Sequence, residues 1–134
     1  GLIGAEANAV APGKRPLSSM SPTIVLKNDE PILAVGAAGG PTIITQTLLT
    51  IIQVIDFGLP LDEALNQPRF HHQWSPDQLR IEKKVGDKVL TGLRAKGHKL
   101  KVYGEMGSTQ AVSLENGKFE AAHDPRIKGK ATTF

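Results

Sequence analysis

Apolar residues come in short bursts along the chain, and the period within each burst predicts an element. Thr23 to Lys27 (TIVLK) is β-branched and apolar, and Ile32 to Val35 is a second short apolar run. Asn28-Asp29-Glu30-Pro31 between them is a turn signal, so the two runs predict a β-hairpin buried on at least one face. From Thr42 the apolar positions are 43, 44, 48, 49, 51, 52, 54 and 55. That is a wide helical stripe, and it predicts a helix buried over most of its surface. Pro41 fits the first turn, where a missing N–H costs nothing, and Gly58 suits the stop. The β-branched residues lower the helix propensity, so tertiary packing must hold this helix.

Leu61 to Gln67 predicts a short helix ended by Pro68, and Arg69 to Trp74 (RFHHQW) an extended or irregular stretch. Leu79 to Lys83 reads as a strand. Asp87 to Lys96 carries Val89, Leu90 and Leu93 on one face and ends at Gly97, as a helix should. Leu100 and Val102 alternate with Lys99, Lys101 and Tyr103, the pattern of a half-exposed strand. Gln110 to Leu114 and Lys118 to Ala122 flank Asn116-Gly117, the strongest local hairpin signal. The Gly- and Ala-rich residues 1–14 predict an irregular lead-in, and the residues after Asp124 a loosely structured tail. No repeat or low-complexity linker interrupts the chain. Two hairpins and no regular βαβ alternation predict an α+β fold, antiparallel strands with packed helices, in a single domain over residues 1–134.

Composition narrows the function classes. A length of 134 residues with 40% hydrophobic content can bury a core, and 22% charged residues is ordinary for a folded chain. The net charge of +3 is spread over scattered lysines and arginines, and aromatics are only 4%, so nucleic acid is not an expected partner. The absence of cysteine removes disulfides, thiol catalysis and cysteine-ligated zinc. The most apolar run, Ile43 to Ile55, is too short and too often broken by Thr and Gln to span a membrane.

Two stretches could carry chemistry. In GAAGGP a strand runs into Gly39-Gly40 and a helix follows. Without a Cβ to block approach, these amides can face a ligand at the positive end of the helix, which suits an oxyanion formed in acyl transfer. The competing reading is a tight strand-to-helix turn. In RPLSSMSPT, Ser18, Ser19 and Ser21 have no base nearby in sequence and no nucleophile elbow. They suit hydroxyl donors to a carboxylate, or a turn whose hydroxyls bond local backbone. Adjacent His71 and His72 point to opposite faces of an extended chain and do not share a metal; no metal is expected. Trp74 reads as packing, and Asp124-Pro125-Arg126 as a local ion pair with a structural or surface role.

Taken in series, ANAVAPGKRPLSSMSPTIV, GAAGGPTIITQ, ALNQPRFHHQW, GSTQAV and AHDPR closely resemble the C-terminal part of the small subunit of γ-glutamyltranspeptidases. The resemblance covers essentially the whole chain. It implies part of the four-layer αββα sandwich of N-terminal nucleophile hydrolases, made by autocleavage of a precursor. It implies γ-glutamyl transfer and hydrolysis on glutathione-like amides, with no cofactor. By the same resemblance Ser18 and Ser19 bind the donor's α-carboxylate, and Gly39 and Gly40, 21 positions further on, give the oxyanion-hole amides. The nucleophile of the family is the N-terminal threonine of the small subunit, several dozen residues ahead of the serine pair. Only 17 residues precede Ser18 here, and Gly1 is not threonine. None of Thr23, Thr42 or Thr109 can substitute, because an internal threonine has no free α-amine. The expectation is therefore an inactive isolated chain. Its partners would be the large subunit and the remainder of the small subunit, and its uncovered faces would favour self-association. The parent would be periplasmic or secreted. A cephalosporin acylase, a poly-γ-glutamate depolymerase, or a non-catalytic module are the alternative readings.

Overall fold

Two left-handed turns build the larger sheet. Asn28 and Asp29 have φ of 53° and 64°, and Asn116 and Gly117 have φ of 51° and 74°. Consecutive positive-φ residues make the type I′ turn, whose twist matches that of the flanking strands. The first turn joins β1 (Thr23–Lys27) to β2 (Glu30–Ala38), and the second joins β6 (Ser108–Glu115) to β7 (Lys118–His123). In the computed structural model, which describes residues 4–133, the two hairpins meet along β2 and β6 and give an antiparallel sheet of order β1-β2-β6-β7. Pro31, which has no N–H to give, lies beyond the stretch of β2 that pairs with β6, and a bulge at Val25/Leu26 absorbs the register change.

Between the hairpins run α1 (Thr42–Ile51), α2 (Leu61–Asn66), β3 (Phe70–His71), β4 (Leu79–Glu82), α3 (Asp87–Ala95) and β5 (Leu100–Tyr103). Beyond α1 the helix continues as a wider π-helical turn over Ile52–Asp56, with Phe57 N donating to Ile52 O. Strands β3, β4 and β5 form a second, three-stranded sheet. Its β4–β5 pair is parallel, with α3 as the crossover, so one βαβ unit joins the expected antiparallel pairs. A helix between two strands returns the chain to the same end of the sheet, which is what parallel pairing requires.

One face of the larger sheet packs under the helices. Leu33, Val35, Ala111 and Ala122 point inward and meet Leu61 and Leu65 of α2, with Val25, Ile51 and Val54 against them. The alternate residues Ile24, Ala34, Gly36, Val112 and Ala121 line the opposite, open face. Strand periodicity therefore makes both faces of this sheet apolar, as in a sheet covered on both sides.

Helix α1 departs from its sequence reading. The buried residues of α1 are Ile43 and four polar ones, Thr42, Gln46, Thr47 and Thr50, while Ile44 and Leu48 are 53% and 52% exposed. Ile44 and Leu48 of the apolar stripe face outward because polar residues take much of the inner face, where Thr42, Gln46 and Thr50 are hydrogen-bonded, while Ile51 stays against the core. Trp74, expected to pack, is 77% exposed. Residues 1–3 of the predicted lead-in and residue 134 of the predicted tail lie outside the described residues.

Candidate active site

The glycine turn is built from three peptide groups whose carbonyls all point into the protein. Ala38 O accepts from Gln46 Nε2 at 3.2 Å. Gly39 O accepts from Thr42 Oγ1 at 2.9 Å and Thr42 N at 3.4 Å. Gly40 O accepts from Ser19 Oγ at 2.8 Å and Ile43 N at 3.1 Å. In a trans peptide the carbonyl and the following N–H point in opposite directions. Anchoring Ala38 O and Gly39 O inward therefore turns the N–H groups of Gly39 and Gly40 outward. Both glycines are exposed, and neither amide has an acceptor among the described residues. They lie ahead of the first turn of α1, where the helix adds positive potential. The conformation demands glycine at the first position. Gly39 has φ of 146°, and a Cβ there would stand 2.5 Å from Thr42 Oγ1 and 2.9 Å from Gln46 Nε2.

The serine pair reaches the same turn, but its two hydroxyls differ. Ser19 is buried and donates to Gly40 O, which straps the serine segment onto the glycine loop. Ser18 is exposed, and its Oγ accepts from Met20 N at 3.1 Å, so its proton remains available to a ligand. Ser21 Oγ bonds Ser19 O and is taken up locally. The structure thus brings Ser19 and Gly40 together and gives Ser18 the open donor.

Beneath the turn runs the segment Met106–Thr109. Its backbone is held by Glu82, Arg69 and Asp124, members of a network of four charges of which the sequence connected only Asp124 and Arg126. Glu82 Oε1 accepts from Met106 N at 2.7 Å, and Arg69 Nη1 donates to Met106 O at 2.9 Å. Asp124 Oδ2 accepts from Thr109 N at 2.7 Å and from Arg69 Nη2 at 2.5 Å. Arg126 closes the network with Nε and Nη2 on the two Glu82 oxygens at 2.8 and 2.6 Å, and Nη1 on Asp124 Oδ1 at 3.2 Å. The predicted Asp124–Arg126 ion pair is present, and it is buried rather than on the surface: Asp124 is 0% exposed. Burial alone would raise the Asp124 carboxyl, but bonds from Arg126 N, Arg69 and Thr109 N outweigh it and hold it below its ordinary range. The Glu82 carboxyl is likewise lowered, burial being outweighed by Arg126, Arg69 N and Met106 N. Burial lowers the Arg69 guanidinium despite its bond to Asp124. In Arg126 the bonds to Glu82 overcome burial and raise it.

The histidines separate as expected. Buried His71 lies between Thr45 Oγ1, 2.9 Å from Nδ1, and Gln73 Oε1, 3.1 Å from Nε2, while exposed His72 pairs with Asp77. Among the described residues no cluster of three or more His, Asp or Glu side chains could hold a metal ion, and no helix is long and apolar enough to cross a membrane.

A mixed sheet-and-helix layer whose larger sheet is apolar on both faces suits a sandwich covered on both sides, the arrangement that the resemblance to N-terminal nucleophile hydrolases implies. The solved structures agree. A gamma-glutamyltranspeptidase from Pseudomonas nitroreducens, complexed with L-DON, superposes with TM-score 0.91 at 38% identity, over 100% of this chain and 72% of that one. A mutant of the Helicobacter pylori gamma-glutamyltranspeptidase gives 0.87 at 45% identity, over 95% of this chain and 71% of that one. The gamma-glutamyltranspeptidase family model matches residues 2–134, so this chain belongs to that family. It is 51% identical over 127 residues to the glutathione hydrolase proenzyme of Escherichia coli, covering 94% of this chain. It spans 22% of that relative's length.

Proposed function

We propose that these residues form the oxyanion and carboxylate side of a γ-glutamyl transfer site, completed by the rest of a two-subunit enzyme. The observation that carries the reading is the glycine turn, with three carbonyls anchored inward and two amides free. Gly39 N–H and Gly40 N–H donate to the oxygen of a tetrahedral intermediate, where charge develops. The Ser18 hydroxyl, and Ser19 after leaving Gly40 O, donate to the α-carboxylate of the γ-glutamyl donor. The nucleophile is an N-terminal threonine outside these residues. Its Oγ attacks the γ-amide carbon while its own α-amine takes the proton. Collapse of the oxyanion breaks the C–N bond, and the departing amine leaves with that proton. Water or an acceptor amine then attacks the ester, releasing glutamate or a γ-glutamyl product and restoring the threonine. The donors are glutathione-like γ-glutamyl amides, the partners are the large subunit and the remainder of the small subunit, and the parent works in the periplasm or outside the cell.

A chromogenic γ-glutamyl anilide tests this. The processed parent should release the free aniline, and residues 1–134 alone should not. Turnover by the isolated chain would overturn the assignment of the nucleophile. A parent that leaves the anilide intact would overturn the assigned activity.

A further inference from the structure

We infer that Gln46 is the positioning residue that aims both oxyanion-hole amides, an inference that rests on the function proposed above. Gln46 is 2% exposed, on the buried polar face of α1. Three of the four hydrogen-bonding positions of its carboxamide are filled. One Nε2 proton goes to Ala38 O at 3.2 Å and the other to Thr42 Oγ1 at 2.9 Å. Thr42 passes its own proton to Gly39 O at 2.9 Å. Oε1 accepts from Thr109 Oγ1 at 3.2 Å, and Thr109 is 0% exposed.

The consequence follows from peptide geometry. Ala38 O fixes the plane that carries Gly39 N–H, and Gly39 O fixes the plane that carries Gly40 N–H. One carboxamide holds the first plane directly and the second through Thr42. The reversed amide orientation would set Oε1 against Ala38 O, so the bonding permits one orientation. Two glycines make room for it. A Cβ on Gly39 would come within 2.9 Å of Nε2, and a Cβ on Gly107, where φ is 60°, would overlap the carboxamide. The buried charges that pin Met106 and Thr109 thus act on the glycine turn through Gly107 and Gln46. Removing one oxyanion donor costs about a hundredfold or more in kcat, and loosening the aim of two should cost on the order of tenfold or more.

The test uses the processed parent enzyme with Gln46→Met, which keeps the length and removes the donors. Three quantities are read: kcat and KM for a γ-glutamyl anilide, the affinity of a γ-glutamyl boronate that forms a tetrahedral adduct, and the Ki of glutamate. The expected result is kcat and boronate affinity each down about tenfold or more, with KM and glutamate Ki within about threefold. A general structural defect would weaken glutamate and boronate together. Wild-type kcat and boronate affinity in Gln46→Met would overturn the inference, as would equal losses for glutamate and boronate. Should Gln46→Met fail to process, Thr109→Val removes only the bond to Oε1 and should show the same selective loss at a few-fold; a Thr109→Val enzyme unchanged in both would overturn it. Failure of the underlying reading shows separately, as a wild-type parent that neither turns over the anilide nor binds the boronate.

Discussion

Replacing Glu82 with Gln changes one atom and should cost more than any surface substitution. Both Glu82 oxygens accept two donors: Met106 N and Arg126 Nε on Oε1, Arg69 N and Arg126 Nη2 on Oε2. An amide NH2 in either place faces two donors with donors, so at least two of the four bonds are lost. The Arg126 side chain, 5% exposed, then keeps only Asp124 as counter-charge. Breaking a buried pair by removing one charge typically costs about 3–5 kcal/mol, because the remaining charge stays buried without compensation. Urea unfolding of the parent enzyme, followed by tryptophan fluorescence, would read the loss as a shifted midpoint at unchanged slope. The double variant Glu82→Gln, Arg126→Gln removes the orphaned charge, so its cost should fall short of the two single costs added by about 1–3 kcal/mol. A Glu82→Gln loss below about 1 kcal/mol, or strict additivity in the double variant, would refute the claim that these charges are coupled in the interior.

Other outcomes follow from the same contacts. Ser18→Ala and Ser19→Ala should each raise KM for the γ-glutamyl anilide with little change in kcat, since both hydroxyls serve the α-carboxylate in the bound state; an unchanged KM in the double variant would contradict the assignment. Gly39→Ala should lower kcat by about a hundredfold or more, because its Cβ would stand 2.5 Å from Thr42 Oγ1; near-normal turnover would contradict the turn's role. The Asp124 and Glu82 carboxyls lie below their ordinary values of 3.8 and 4.5. A lowered folded pKa contributes stability that is complete above the unfolded value and disappears as pH falls through the folded one. Stability contributed by these groups should therefore hold down to about pH 5 and drop below about pH 4, and a urea-midpoint series that lost this contribution nearer neutrality would contradict it. The isolated chain should associate through its uncovered apolar surfaces, including Ile44, Leu48 and Ile55 at 53%, 52% and 44% exposure; light scattering showing a compact monomer at high concentration would contradict that.

Local signals carried the fold where turn chemistry decided it. Asn28-Asp29 and Asn116-Gly117 specify both hairpins because few residues tolerate two successive positive φ angles. The parallel β4–β5 pair was not legible, since pairing direction depends on where α3 returns the chain and not on strand composition. Helix α1 was legible as a helix but not in its burial. The apolar stripe fixed the period, yet the polar contacts of Thr42 and Gln46 with the glycine turn decide which side is buried. A signal for the buried side was present: positions 42, 46 and 50 are polar and spaced four apart, one helix face of hydrogen-bonding residues. Gln46 was missed because it read as an interruption in an apolar run. The glycine and serine pairs each carried a turn reading and a ligand reading, the family motifs favoured the second, and the Ser19–Gly40 bond brings the two segments together. Nothing local could show that Glu82 meets Arg126, 44 residues away, or that Arg69 meets Asp124, 55 residues away.

In the proposed site Gly39 and Gly40 supply the amides that hold the intermediate's oxygen. A crystal structure of the processed parent carrying a tetrahedral γ-glutamyl boronate adduct measures this directly. Gly39 N and Gly40 N should both lie about 2.7–3.1 Å from one adduct oxygen, with Gln46 still on Ala38 O and the Ser18 hydroxyl on the α-carboxylate. An adduct oxygen held by other donors, with the glycine amides facing solvent, would contradict it.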